Sequence, residues 1–129
     1  MLNKDIVSLI IPCYNGEQFV ERCMRNILEQ DYVNNIEMIL INDGSTDKTE
    51  EIIFQMKDIL DQKLWKFCYI YQKNQGVGAA MNAALKKVTG EFLTSLDIDD
   101  LMMPNSISER VKWLKRNPSY ALVRTHGYF

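Results

Sequence analysis

Hydrophobic residues come along this chain in two alternating rhythms. Ile6–Cys13 (IVSLIIPC) is a nearly continuous apolar run, rich in β-branched residues, and predicts a strand buried on both faces. From about Gln18 to Gln30 the spacing changes. Phe19, Cys23 and Ile27, with Val20, Met24 and Leu28, recur at helical intervals. The pair then repeats. Ile36–Asn42 (IEMILIN) predicts a second strand, and Ile52, Ile53, Met56, Ile59 and Leu60 form the apolar stripe of a second helix, with Ser45 or Thr46 placed to cap it. Lys66–Tyr71 predicts a third strand, Val77–Val88 a helix whose alanines suit close packing, and Phe92–Leu96 a fourth strand. A last helix, about Asn105 to Arg116, carries Ile107, Val111 and Leu114, and Ala121–Phe129 is expected to begin another strand.

Four strand–helix units in succession predict an α/β fold, a mostly parallel central sheet flanked by helices. In such sheets ligands bind outside the carboxyl ends of the strands. Here those ends run into PCYNGE, NDGSTD, QKNQGVG and DIDD, all polar or glycine-containing. One edge of the sheet receives all four. That edge is the expected site.

DIDD concentrates the chemistry. On an extended segment Asp97 and Asp99 point the same way, and two close carboxylates raise each other's pKa unless a cation neutralises them. Mg²⁺ or Mn²⁺ held by one or two carboxylates and completed by phosphate oxygens would resolve the repulsion. An acidic turn before Pro104 is the plainer alternative. An EF-hand fails, because Met102 falls where that loop needs Gly. Gly76 and Gly78 begin a pattern like that of dinucleotide folds, with Asp97 about 20 residues on. However, Met81 occupies the third small position, and the motif follows the third strand rather than the first. Asp43 ends a strand, where it can accept hydrogen bonds from a base or ribose. Tyr14 offers a ring on which a base can stack. Each also has an ordinary structural reading, as turn and packing chemistry.

Composition narrows the choice by exclusion. The 129 residues suffice for one domain with a real core. A net charge of −2 with interspersed signs lacks the basic stripe of a nucleic-acid binder. No apolar run approaches the ~20 residues of a membrane span, and MLNKDIVSLIIP lacks the basic start and cleavage site of a signal peptide. The three cysteines, Cys13, Cys23 and Cys68, fit neither a disulfide framework nor a zinc motif. They read as small buried hydrophobes of a cytoplasmic protein.

The motifs in their order resemble glycosyltransferase family 2, inverting nucleotide-sugar transferases of the GT-A fold. The matching pieces are VSLIIPCYNGEQFVERCMRNILEQ, IEMILINDGSTDKTEEI and NQGVGAAMNAALKKVTGEFLTSLDIDDLMMP, nearly all of the chain from Ile6 to Pro104. The resemblance implies that Pro12 and Tyr14 border the base and that Glu17 lies near the donor. It implies that Asp43 bonds the base or ribose, and that Asn74 and Gly76 start a helix beneath the donor. Asp97–Ile98–Asp99 matches the D-x-D signature, with Asp97 toward ribose and sugar and Asp99 on a Mn²⁺ or Mg²⁺ that bridges the diphosphate. The expected ligand is a nucleotide-sugar, with UDP the favoured nucleotide and a glycan, lipid or protein as acceptor.

Two departures qualify what is carried over. Met81 stands where many members have Arg. Only 29 residues follow Asp100, so residues 1–129 are expected to be the nucleotide-sugar-binding half of a truncated GT-A sheet. The acceptor half and its general base are expected beyond Phe129. Glu109 and His126 are poor substitutes for that base. An isolated half would bind nucleoside diphosphate and metal without transfer, and would expose an unpaired edge through which it self-associates.

Overall fold

A computed structural model describes residues 1–125. Strand β1 (Asn3–Cys13) leads to helix α1 (Val20–Leu28), and a 3-10 turn (Val33–Asn35) enters β2 (Ile36–Asp43). There follow α2 (Thr49–Lys63), β3 (Lys66–Gln72), α3 (Val77–Leu85), β4 (Gly90–Ser95) and α4 (Ser106–Arg116). The sheet order is β3-β2-β1-β4 with every pairing parallel, the α/β arrangement that the alternating rhythms predict.

The two interior strands are the most apolar. All eight residues of β2 are buried, and β1 is buried from Ile6 to Ile11. On one face Leu9, Ile11, Met38 and Leu40 meet Val20, Cys23, Met24 and Ile27 of α1, Ile53, Met56 and Leu60 of α2, and Ile107 and Val111 of α4. On the other face Ile10, Ile39 and Ile41 meet α3 through Ala80 and Ala84. Methyl-sized side chains let that helix lie close, as its alanine content predicts.

Two acids are buried in β2. Glu37 accepts hydrogen bonds from Ser8 Oγ and from the backbone and hydroxyl of Thr89, and Lys66 Nζ lies 3.5 Å from it. This network fastens the entry of β4 beside β1. Gly90 is obligatory there, because a Cβ would lie 2.6 Å from the Ile6 carbonyl oxygen. The second acid, Asp43, belongs to the site.

Three expectations need correction. Helix α2 starts at Thr49, later than a Ser45 or Thr46 cap requires. Asp47 Oδ1 accepts the Thr49 N–H at 3.0 Å and Glu17 Oε2 accepts the Lys48 N–H at 3.0 Å, while Ser45 and Thr46 are engaged by Asn15. Residues 97–100 are not extended. The Asp100 N–H donates to the Asp97 carbonyl at 3.0 Å and closes a turn, because β4 ends at Ser95. Finally, residues 121–125 form no strand. His126 and the rest of that expected strand lie outside the described residues. Among the described residues β4 pairs only with β1, and no helix is long and apolar enough to cross a membrane.

Candidate functional site

The carboxyl ends of β1, β2 and β4 and the start of α3 enclose a cleft of about 280 Å³. Pro12, Tyr14, Asp43, Asp97, Ile98 and Asp99 line it together with Asn15, Phe19, Val77 and Ala80. Three other expected residues, Glu17, Asn74 and Gly76, are not among its lining. Each instead touches what shapes it.

Asp43 is the anchor of the cleft floor. It is 4% exposed, and its Oδ1 accepts Gln72 Nε2 at 2.8 Å and the Gln75 N–H at 2.9 Å. Its Oδ2 accepts the Gly76 N–H at 3.0 Å. Burial alone would raise its pKa, but the three donors outweigh burial and hold the carboxyl below its ordinary value. The same bonds fix the loop that enters α3. Gly76 takes φ +92°, and Gly44 takes φ +73° with the Asn74 N 2.6 Å from where a Cβ would stand. Both positions call for glycine.

The loops after β1 and β2 are laced together. Asn15, at φ 48°, donates its N–H to Ser45 Oγ at 2.9 Å and accepts the Thr46 N–H on Oδ1 at 2.8 Å. The Gly16 N–H donates to Thr49 Oγ1 at 2.9 Å, and the Glu17 N–H to Asp47 Oδ2 at 3.1 Å. Burial opposes ionisation of Asp47, but the Thr49 hydroxyl and the backbone donors around it bring its pKa down. The Glu17 carboxylate itself accepts the Lys48 N–H just before α2.

At the mouth, Tyr14 is 52% exposed and presents its ring to solvent. Asp97 and Asp99 are exposed, while Ile98 between them packs against the main core. The Asp99 carbonyl accepts Arg22 Nη2 at 3.4 Å, and that guanidinium sits 5.8 Å above the Phe19 ring. Among the described residues no group of three or more His, Cys, Asp or Glu is placed to hold a metal alone. Two hard-oxygen carboxylates on one cleft do suit Mg²⁺ or Mn²⁺, provided a phosphate completes the shell. A second hollow of about 860 Å³ shares Asp99 and continues past Asp100, Met103, Glu109 and Arg110.

Sequence reasoning missed Phe19, Val77 and Ala80, whose apolar character marked them only as helix positions. It also missed Asn26 and Gln30, whose amides reach across to residues 102–107. No local pattern announces either contact.

A parallel sheet with a polar cleft at its carboxyl edge and exposed acids at the mouth defines a ligand-binding α/β domain. Residues 8–129 match the model of "Glycosyl transferase family 2". The chain belongs to that family. It is 38% identical over 123 residues to an uncharacterized glycosyltransferase of Rickettsia typhi, covering 95% of this chain and 36% of the relative. A Haemophilus influenzae glycosyltransferase, also uncharacterized, is 37% identical over 128 residues, covering 99% of this chain and 48% of the relative. Among solved structures, the mannosyltransferase PcManGT of Pyrobaculum calidifontis, in complex with GDP-Man and Mn²⁺, superposes with TM-score 0.79 at 29% identity, over 87% of this chain and 33% of that one. S. aureus TarS in complex with UDP gives TM-score 0.77 at 25% identity, over 86% of this chain and 32% of that one. The fold is GT-A. The chain spans a third to a half of the length of these relatives.

Proposed function

We propose that residues 1–129 form the nucleotide-sugar-binding part of a metal-dependent, inverting glycosyltransferase. The carrying observation is that Asp97 and Asp99 line one cleft with Tyr14 and Asp43 at the carboxyl edge of the sheet. In this reading the base stacks at Tyr14 beside Pro12, and the floor held by Asp43, Asn74 and Gly76 supports base and ribose. Asp97 faces ribose and sugar. Asp99 holds Mn²⁺ or Mg²⁺, with Ile98 as the packed pivot between the two acids. The bound cation supplies positive charge where the leaving nucleoside diphosphate gathers negative charge, an effect worth several kcal/mol.

UDP is the proposed nucleotide, in line with the UDP complex of TarS, and the GDP-Man complex of PcManGT makes GDP the comparison to run. Acceptor recognition and the general base are assigned to regions of the relatives that this chain does not match. The acceptor is proposed to be a glycan, lipid or protein, within cell-wall or polysaccharide synthesis. Self-association through the edge of β4, which among the described residues pairs only with β1, is part of the proposal.

Thermal melting with UDP, GDP, Mn²⁺ and their combinations tests the reading. Ligand at a hundredfold its Kd stabilises by about 2.7 kcal/mol, which raises the melting temperature by several degrees. UDP with Mn²⁺ should exceed either alone. No shift with any nucleoside diphosphate and metal refutes the assignment.

A further inference from the structure

Residues 97–101 cross the mouth of the cleft between two fastened points. Upstream, the Leu96 N–H donates to the Ile10 carbonyl at 3.0 Å, the last bond tying the exit of β4 to β1. Downstream, the Asn26 amide holds both backbone groups of Met102. Its Nδ2 donates to the Met102 carbonyl at 2.9 Å, and its Oδ1 accepts the Met102 N–H at 2.8 Å. One side chain thus supplies the donor–acceptor pair that a neighbouring strand would offer, as the carboxamide of Asn or Gln can.

The residues four positions either side of Asn26 act on the same segment, as one row of α1 and its exit requires. Arg22 Nη2 reaches the Asp99 carbonyl at 3.4 Å. Gln30 Nε2 donates to the Met103 carbonyl at 2.8 Å, and its Oε1 accepts the Ile107 N–H at 3.4 Å. The row stands on a rigid base, because Val20, Cys23, Met24 and Ile27 of α1 are fully buried. Only Asp100 and Leu101 separate Asp99 from Met102, and three residue steps span at most about 10 Å. Fixing Met102 therefore keeps Asp99 within that short reach, and Arg22 adds a direct bond to its carbonyl.

We propose that Asn26 is a positioning residue for the candidate site, setting the place of Asp99 at the mouth of the cleft, with Arg22 and Gln30 as flanking supports. The inference rests on the reading of Asp97 and Asp99 as carboxylates that bind diphosphate through a divalent cation.

Titration calorimetry with UDP, once in EDTA and once with Mn²⁺, gives two dissociation constants whose ratio is the metal gain. Asn26→Leu keeps the heavy-atom count and the branching and removes both bonds. It should cut the metal gain about tenfold, the usual cost of losing a residue that orients a metal ligand, while the constant in EDTA changes little. In an Asp99→Asn background the same substitution should cost nothing further. An unchanged gain in folded Asn26→Leu overturns the inference, and so does an equal loss in the Asp99→Asn background. If Asn26→Leu fails to fold, Arg22→Met carries the comparison: a reduced gain supports the inference and an unchanged gain overturns it. A wild-type chain that binds UDP with no metal gain, or not at all, refutes the underlying site assignment before any variant is compared.

Discussion

Ile98 packs against the bare Cα of Gly16. A Cβ at Gly16 would stand 3.3 Å from Ile98 Cγ1 and 2.8 Å from Cys13 Sγ. The middle residue of the acidic motif is thereby seated on the loop after β1, and two ends of the sheet that are far apart in sequence share one contact. Gly16→Ala should displace Ile98 and the carboxylates beside it. Overpacking of this kind typically costs about 1–3 kcal/mol. Urea unfolding should show that loss, and calorimetry should show weaker UDP binding with Mn²⁺. Wild-type values in both would mean that the Ile98 seat is not tight.

Asp99→Asn removes a charge from an exposed position and should leave the melting temperature without ligand nearly unchanged, since surface substitutions usually stay within about 0.5 kcal/mol. The stabilisation by UDP with Mn²⁺ should fall to that of UDP alone. If the variant unfolds instead, Asp99 is structural and its proposed role is wrong.

Acid should weaken the fold through three carboxylates. Burial pushes the pKa values of Glu37, Asp43 and Asp47 upward, and in each case the hydrogen bonds received outweigh it and leave the net shift downward. A depressed folded-state pKa gives stability that is complete above the unfolded value, near 4, and is lost as pH falls through the lower folded value. Melting temperature should therefore hold between about pH 7 and pH 5 and drop below about pH 4. Asp43→Asn should melt lower at pH 7 and show a shallower acid slope. An acid slope equal to wild type would remove Asp43 from the account.

Two thiols should be inert in the folded chain. Burial pushes Cys13 up to about 11 and Cys23 up to about 12, and the thiolate is the reactive form. Ellman's reagent at pH 8 should therefore label neither until guanidinium unfolds the protein. Prompt reaction of more than one thiol in native buffer would contradict this packing.

The fold was largely legible in the chain because buried strands and amphipathic helices write their periods directly into residue order. IEMILIN could hardly be other than an interior strand, and all of it is buried. The grouping of Pro12, Tyr14, Asp43, Asp97, Ile98 and Asp99 followed from parallel topology, which carries successive strand ends to one edge. What stayed hidden was side-chain choice among partners distant in sequence. Nothing near Glu17 shows that its carboxylate ends at the Lys48 N–H, and nothing near Asn26 shows that it holds Met102. The turn at 97–100 was misjudged for a related reason. Alternation assumes that the strand continues, and it stops at Ser95.

Ala80 is both a fully buried core residue and part of the cleft wall. Among the described residues three helices cover one face of the sheet and α3 alone covers the other, so the thickness of that thin layer is set by a few methyl groups. A larger residue at Ala80 or Ala84 would lift α3 off the sheet like a shim under a hinge, and Val77 at its leading end would swing with it. The width of the cleft is thus adjustable from inside the core.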